Sequence, residues 1–163
     1  VFEQLGKAVS QNRWPVLITG DVGVGKSSVA ALCYRDWTGL TAKYMTAASA
    51  ASTLKKAEFG GVVLPGAMDA IGDVALLRSW CERTGLLVLD DLTNGLSHDG
   101  AKAQLWRIID GRANRPAVYT ANGSPDELAS FFGKSMKDRL FHGTSILWPG
   151  NSRRTGTITV VGR

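Results

Sequence analysis

Residues 20–27 read Gly-Asp-Val-Gly-Val-Gly-Lys-Ser, between an apolar stretch, Pro15-Val16-Leu17-Ile18-Thr19, and a helical one from Ser27 to about Trp37. A glycine turn that joins a strand to the start of a helix constrains this chain more than any other feature. It aims several backbone N–H groups and the positive end of a helix dipole at one spot, which is a seat for phosphate. Lys26 would reach the β- and γ-phosphates of a nucleotide, and the Ser27 hydroxyl would hold Mg²⁺. Gly20, Asp21, Val22, Gly23, Val24, Gly25 and Ser28 complete the candidate nucleotide-binding stretch. A bare glycine turn is the plain alternative, and the strand before and helix after it argue against that. The chain is expected to bind a nucleoside triphosphate.

At 163 residues, one domain covering 1–163 is the natural expectation, with no separate lid or N-terminal partner-binding domain evident. A hydrophobic content of 44% with 20% charged residues is that of a globular chain. No apolar run approaches the roughly 20 residues that cross a bilayer, so no membrane association is expected. The first residues carry no secretory pattern, and Cys33 and Cys81 lack metal-ligand spacing; a cytoplasmic protein with reduced thiols is the expectation. His98 and His142 have no evident metal partners. The net charge of +5 is uneven. Residues 101–163 hold 10 Lys/Arg against 4 Asp/Glu, and residues 1–100 hold 9 against 10. A basic half beside a nucleotide site suggests a polyanionic partner, nucleic acid first, although excess lysine also serves solubility.

Periodicity predicts helices over 1–12, 27–37, 49–59, 69–84, 98–113, 124–133 and 135–141. Strands are predicted at 15–19, 42–45 (a weak one), 86–89, 116–120 and 145–148, with 157–161 as a further edge strand. Gly60-Gly61 and Pro65-Gly66 mark a loop, and Ser124-Pro125-Asp126-Glu127 reads as a capping box. Strands that alternate with helices imply an α/β fold, a parallel sheet with helices on both faces. Ligands of such sheets sit beyond the carboxyl ends of the strands. The glycine loop, Asp90-Asp91 and Asn122 all fall at such ends. The five tryptophans, at 14, 37, 80, 106 and 148, lie in or beside predicted elements and are expected to pack in the core.

Asp90 closes the run Leu86-Leu87-Val88-Leu89, 64 positions after Lys26. An acid there can support Mg²⁺ through water, opposite Ser27. Asp91 sits where a carboxylate could orient an attacking water. The long gap leaves room for a strand between the loop strand and the Asp90 strand, which suits the additional-strand ATPases. No Asn-Lys-x-Asp string is present to read guanine, so ATP is the expected nucleotide. Asn122 could touch the γ-phosphate or the water; Asn before Gly is otherwise a turn residue.

Taken in order, Gly-x-x-Gly-x-Gly-Lys-Ser, Leu-Leu-Val-Leu-Asp-Asp-Leu, Thr-Ala-Asn, Asp-Arg-Leu and Asn-Ser-Arg-Arg resemble the AAA+ ATPases of the initiator and helicase-loader group. The series is most similar to DnaC/DnaI-type helicase loaders and to IstB-type transposition ATPases, over about residues 14–154. That resemblance implies a three-layer P-loop NTPase fold whose five-stranded parallel sheet has the order 5-1-4-3-2. It implies an ATPase that uses ATP and Mg²⁺, engages single-stranded DNA and a replicative helicase (or a transposase), and self-associates head to tail into a ring or spiral. Asp91, Asn122 and Arg139 would be catalytic, with Arg139 as the finger that reaches a neighbouring subunit's γ-phosphate. Arg139 could instead pair with a surface carboxylate such as Asp138. Arg154 matches the arginine of the group's Ser-Tyr-Arg element, although Arg153 stands where the tyrosine is expected. Lys55 and Lys56 fall where the group can face DNA, although exposed helix lysines also serve solubility. Asp91 replaces the glutamate of many AAA+ enzymes, which implies slow or partner-dependent hydrolysis. The competing expectations are an IstB-like helper of a transposase, a nucleotide or small-molecule kinase, and a module that uses ATP only as a switch.

Overall fold

Four residues, Val16-Leu17-Ile18-Thr19, form a strand buried along its whole length that runs into the glycine loop. The computed structural model describes residues 2–59, 62–63, 70–71, 74–94, 96 and 99–148. In chain order the elements are α1 (Phe2–Ser10), β1 (Val16–Thr19), α2 (Lys26–Arg35), β2 (Ala42–Thr46), α3 (Ala47–Phe59), β3 (Val62–Val63), β4 (Ala70–Ile71), α4 (Val74–Arg83), β5 (Leu86–Asp90), α5 (Asp99–Gly111), β6 (Ala117–Thr120), α6 (Pro125–Phe132), α7 (Lys134–Leu140) and β7 (Thr144–Leu147).

Five strands pair in parallel in the order β2-β5-β6-β1-β7. Counted within that sheet alone, the order is the expected 5-1-4-3-2. β1, β5 and β6 are interior and buried at every position, which is why each reads as a continuous apolar run. Alternate side chains feed two cores. Leu17, Leu87, Leu89 and Tyr119 pack with Leu54, Leu105 and Ile108 from α3 and α5. Val16, Ile18, Val88 and Val118 pack with Val29 and Ala30 of α2 and with Trp14. Removing the Leu87 side chain to Cβ, at 0% exposure, would cost about 2–5 kcal/mol. Trp14 is buried, and Trp37, Trp80, Trp106 and Trp148 are partly buried against the two cores, as expected.

The helix and strand expectations hold with three corrections. α3 starts at Ala47 rather than 49 because it follows β2 directly: Thr46 Oγ1 accepts the Ser49 amide at 3.1 Å and caps the first turn. The helix expected from residue 69 begins only at Val74, because Ala70–Ile71 pairs antiparallel with Val62–Val63. Three of those four residues are β-branched, and Pro65-Gly66 lies between the strands, a pattern that favours a ribbon over a first helical turn. The third concerns charge. Arg112, counted with the basic surface, is 1% exposed. Its guanidinium donates to the carbonyls of Cys81, Glu82, Thr84, Gly85 and Pro116, tying the end of α4 to the starts of β5 and β6. Burial pulls this guanidinium below its usual pKa. The edge strand expected at 157–161 lies outside the described residues.

Cys33 and Cys81 are free thiols, half-buried and buried. Burial raises both, Cys81 to about 11, so neither is a reactive thiolate at neutral pH. Among the described residues no helix is long and apolar enough to cross a membrane, and no His/Cys/Asp/Glu group has the makings of a metal cluster.

Candidate functional site

Two helix starts in this chain are built in opposite ways. α6 closes its own N-terminus: the Glu127 amide donates to Ser124 Oγ at 3.3 Å and the Ser124 amide donates to Glu127 Oε2 at 2.6 Å. α2 begins after Gly25, whose φ of 106° is left-handed and which supplies no capping side chain. The first N–H groups of α2 are therefore left for an anion. A Cβ added at Gly25 would meet nothing within 4 Å, so the hydrogen there opens onto a cradle. Gly20 is needed for a different reason: a Cβ would come 2.5 Å from the Trp148 carbonyl oxygen, where β7 closes on the loop. Val24, at 2% exposure, pins the loop to the core, while Asp21 and Val22 are exposed at its tip.

The loop opens on a cleft of about 520 Å³. Val22, Gly23, Gly25, Lys26, Ser27 and Ser28 form one wall, and Asp91, Thr93, Asn94, Thr120 and Asn122 form the other. Six of the sequence-derived site residues thus meet on the loop side, with Asp91 and Asn122 across from them, the latter 96 positions from Lys26. The Lys26 ammonium donates to the carbonyls of Gly20 (2.9 Å) and Asp21 (2.6 Å) and to Asn122 Oδ1 (2.8 Å). The other end of the Asn122 amide donates to Asp91 Oδ1 at 2.9 Å, and Asn94 Nδ2 donates to Asp91 Oδ2 at 3.1 Å. Asp91 has a left-handed φ of 58°. That conformation, rare outside glycine, breaks β5 after Asp90 and brings the two acids to different places.

Asp90 is 7% exposed and lies behind the cleft wall. Thr120 Oγ1 donates to its Oδ1 at 2.5 Å and Tyr44 Oη donates to its Oδ2 at 2.8 Å. Thr120 Oγ1 also accepts the Asp91 amide at 2.8 Å, so one hydroxyl fixes both acids. Burial, and next the hydrogen bond and charge of Asp90, push the Tyr44 phenol well above its ordinary range. Tyr44, Thr93, Asn94 and Thr120 were not among the sequence-derived candidates. Thr120 stands in the quoted Thr-Ala-Asn string and could have been found there; Tyr44 sits in a weak strand and gave no signal.

The remaining candidates lie elsewhere. Arg139, on α7, is outside the cleft; its Nε donates to Asp110 Oδ1 on α5 at 2.8 Å, with both side chains about half exposed. Its carboxylate partner is Asp110 and not the neighbouring Asp138. Lys55 and Lys56 are exposed on the last turns of α3. Arg154 lies outside the described residues.

No family model matches the sequence, and no curated protein matches it. Solved structures do. The replication initiator DnaA bound to AMPPCP and single-stranded DNA superposes with a TM-score of 0.74 at 16% identity, covering 92% of this chain and 46% of that one. AMPPCP-bound DnaA from Aquifex aeolicus gives 0.73 at 15% identity, over 91% of this chain and 45% of that one. The DnaC helicase loader gives 0.73 at 17% identity, over 91% of this chain and 87% of that one. The chain spans somewhat under half the length of the DnaA structures it matches. At such identities the likeness speaks for the fold alone. The strand order, the glycine loop before α2 and these neighbours together give this chain the three-layer fold, with its five-stranded parallel sheet, that those replication-initiator and helicase-loader structures share.

Proposed function

We propose that this chain is an ATP-binding and ATP-hydrolysing AAA+ domain that acts in DNA replication as a helicase loader, engaging single-stranded DNA and a replicative helicase. The observation that carries the enzymatic part is the Asn122 amide, hydrogen-bonded to Lys26 on one side and to Asp91 on the other at the mouth of an uncapped helix. A cation, a neutral amide and a carboxylate in that order match the needs of a γ-phosphate and its attacking water.

The loop amides and Lys26 would hold the β- and γ-phosphates. Asp91 would orient the water and draw its proton as the water oxygen bonds to the γ-phosphorus and ADP departs. Asn122 would hold the water or a γ-oxygen in line, in place of its present bond to Lys26. Ser27 and Asp90 would hold Mg²⁺, which when bound spreads the charge of the β- and γ-oxygens. An exposed hydroxyl on the cleft and a carboxylate behind its wall, which would act through water, are oxygen donors that suit that ion.

The replication role rests on the neighbours: one is described as bound to AMPPCP and single-stranded DNA, another as a helicase loader. Arg139 lies outside its own chain's cleft, which supports a role toward a second copy in a head-to-tail assembly. Lys55 and Lys56, exposed on α3, are the proposed DNA contacts, and Arg154 a further nucleotide contact. Phosphate release from ATP, measured with and without single-stranded DNA at stated salt beside a pulldown with a hexameric helicase, tests this reading. DNA-stimulated release and helicase capture are expected. Transfer of phosphate to a nucleoside monophosphate without net release would favour a kinase, and capture of a transposase in place of the helicase would favour the IstB-like role.

A further inference from the structure

Asp90 is gripped by two hydroxyls from the strands on either side of its own: Thr120 on β6 and Tyr44 on β2. Register places Tyr44 opposite Val88 and Thr46 opposite Asp90. Tyr44 and Asp90 therefore share a face of the sheet, offset by two positions, about 6.6 Å along the strand. A phenol is long enough to bridge that offset, and Ser or Thr at position 44 is not. The Tyr44 ring is seated edge-on against Tyr34 of α2, with centroids 5.9 Å apart, so its direction is fixed. Tyr44 is not among the residues that line the cleft, and phosphate binding and water activation make no use of it.

The chemistry of the grip is informative. A lysine or arginine in either place would neutralise Asp90 and compete with a metal ion. A hydroxyl orients a carboxylate by hydrogen bonding and leaves its negative charge in place. A phenol keeps its proton at neutral pH and so donates to the carboxylate. One oxygen tied by Thr120 and the other by Tyr44 leave the carboxylate no rotation about its Cβ–Cγ bond.

We propose that Tyr44 is a positioning residue for the metal-supporting carboxylate, fixing the rotation of Asp90 so that its free lone pairs face the cation's water shell beside Ser27. The proposal rests on the reading of Asp90 as the acid that supports Mg²⁺. Outer partners of this sort change metal affinity by about tenfold or more when removed.

The test is Mg²⁺ titration of the whole chain in the presence of a fluorescent, non-hydrolysable ATP analogue, comparing wild type with Tyr44→Phe and Tyr34→Phe. Tyr44→Phe keeps the ring and removes one oxygen; circular dichroism checks its fold. It should raise the Mg²⁺ midpoint about tenfold and leave analogue affinity in EDTA within about twofold of wild type. Tyr34→Phe, which keeps the ring contact and touches no carboxylate, should match wild type in both. An unchanged or lowered midpoint in Tyr44→Phe overturns the proposal while the reading of Asp90 stands. Equal loss of affinity with and without Mg²⁺ also overturns it, since that is the mark of a merely structural role. If wild type itself gains no affinity from Mg²⁺, the reading of Asp90 falls and the proposal with it.

Discussion

The Lys26 ammonium donates to Asn122 Oδ1 at 2.8 Å, across 96 residues of sequence. In that position the amide sits between the Lys26 ammonium and the acid at the head of the next turn, with its nitrogen on Asp91 Oδ1. A γ-phosphate that takes over Lys26 must displace the amide oxygen, and the same movement bears on Asp91. Asn122→Ala should therefore leave nucleotide affinity within about threefold of wild type and lower turnover by about a hundredfold, the scale of one lost transition-state donor. Separate measurement of Kd and kcat checks the split; a raised Kd with unchanged kcat would place Asn122 in binding alone.

Lys26 is 7% exposed and presents its charge among loop carbonyls. Lys26→Ala removes that charge while the amides of the loop and of α2 remain. ATP affinity should fall at least about tenfold, or about 1.4 kcal/mol, with the fold intact by circular dichroism. Calorimetric titration reads this directly, and an unchanged affinity would remove the loop from the account.

Arg139 is paired with Asp110 in its own chain, half exposed, an arrangement worth about 0–1 kcal/mol and easily exchanged for a better partner. Activity per subunit should rise with protein concentration. Arg139→Ala should bind ATP normally and lose that rise, since fingers acting in trans contribute about 10³–10⁵ in rate. Mixing it with Asp91→Asn should restore part of the activity, because some interfaces then join an intact cleft to an intact finger. A dead mixture beside concentration-dependent wild type would exclude action in trans.

Arg112 ties three elements at the end of the sheet away from the cleft. Arg112→Ala takes a donor from five carbonyls, of which those of Glu82 and Pro116 keep another from Arg115 and Leu87, and opens a buried space. Stability in urea should fall by more than about 3 kcal/mol, while the folded fraction keeps its nucleotide affinity.

What the sequence discloses here follows from the range of each pattern. The glycine loop, the apolar run ending at Asp90 and the Ser124–Glu127 box are local, and the structure places each as read. Asn122 and Asp91 were legible as strand-end residues; that they touch each other depends on β5 lying beside β6, which strand alternation alone does not determine. Tyr44 acts through a contact 46 positions away and leaves no local trace. Arg112 misleads because a basic residue in a Gly-Arg-Ala-Asn-Arg stretch at a helix end reads as surface, and only the meeting of α4, β5 and β6 around it shows otherwise. The ribbon of Val62–Val63 with Ala70–Ile71 hid under apolar spacing that also fits a helix.

The proposed division of labour between the two acids is central: Asp90, behind the wall and held by hydroxyls, would support the metal, and Asp91, on the cleft, would activate water. The direct measurement is phosphate release from saturating Mg·ATP by wild type, Asp90→Asn and Asp91→Asn, with single-stranded DNA present and analogue affinity determined alongside. Wild type should release phosphate. Asp91→Asn should bind as wild type does and turn over about 10²–10⁴ more slowly, whereas Asp90→Asn should lose Mg²⁺-dependent binding. Wild-type turnover in Asp91→Asn, or equal loss of binding in both variants, would contradict it.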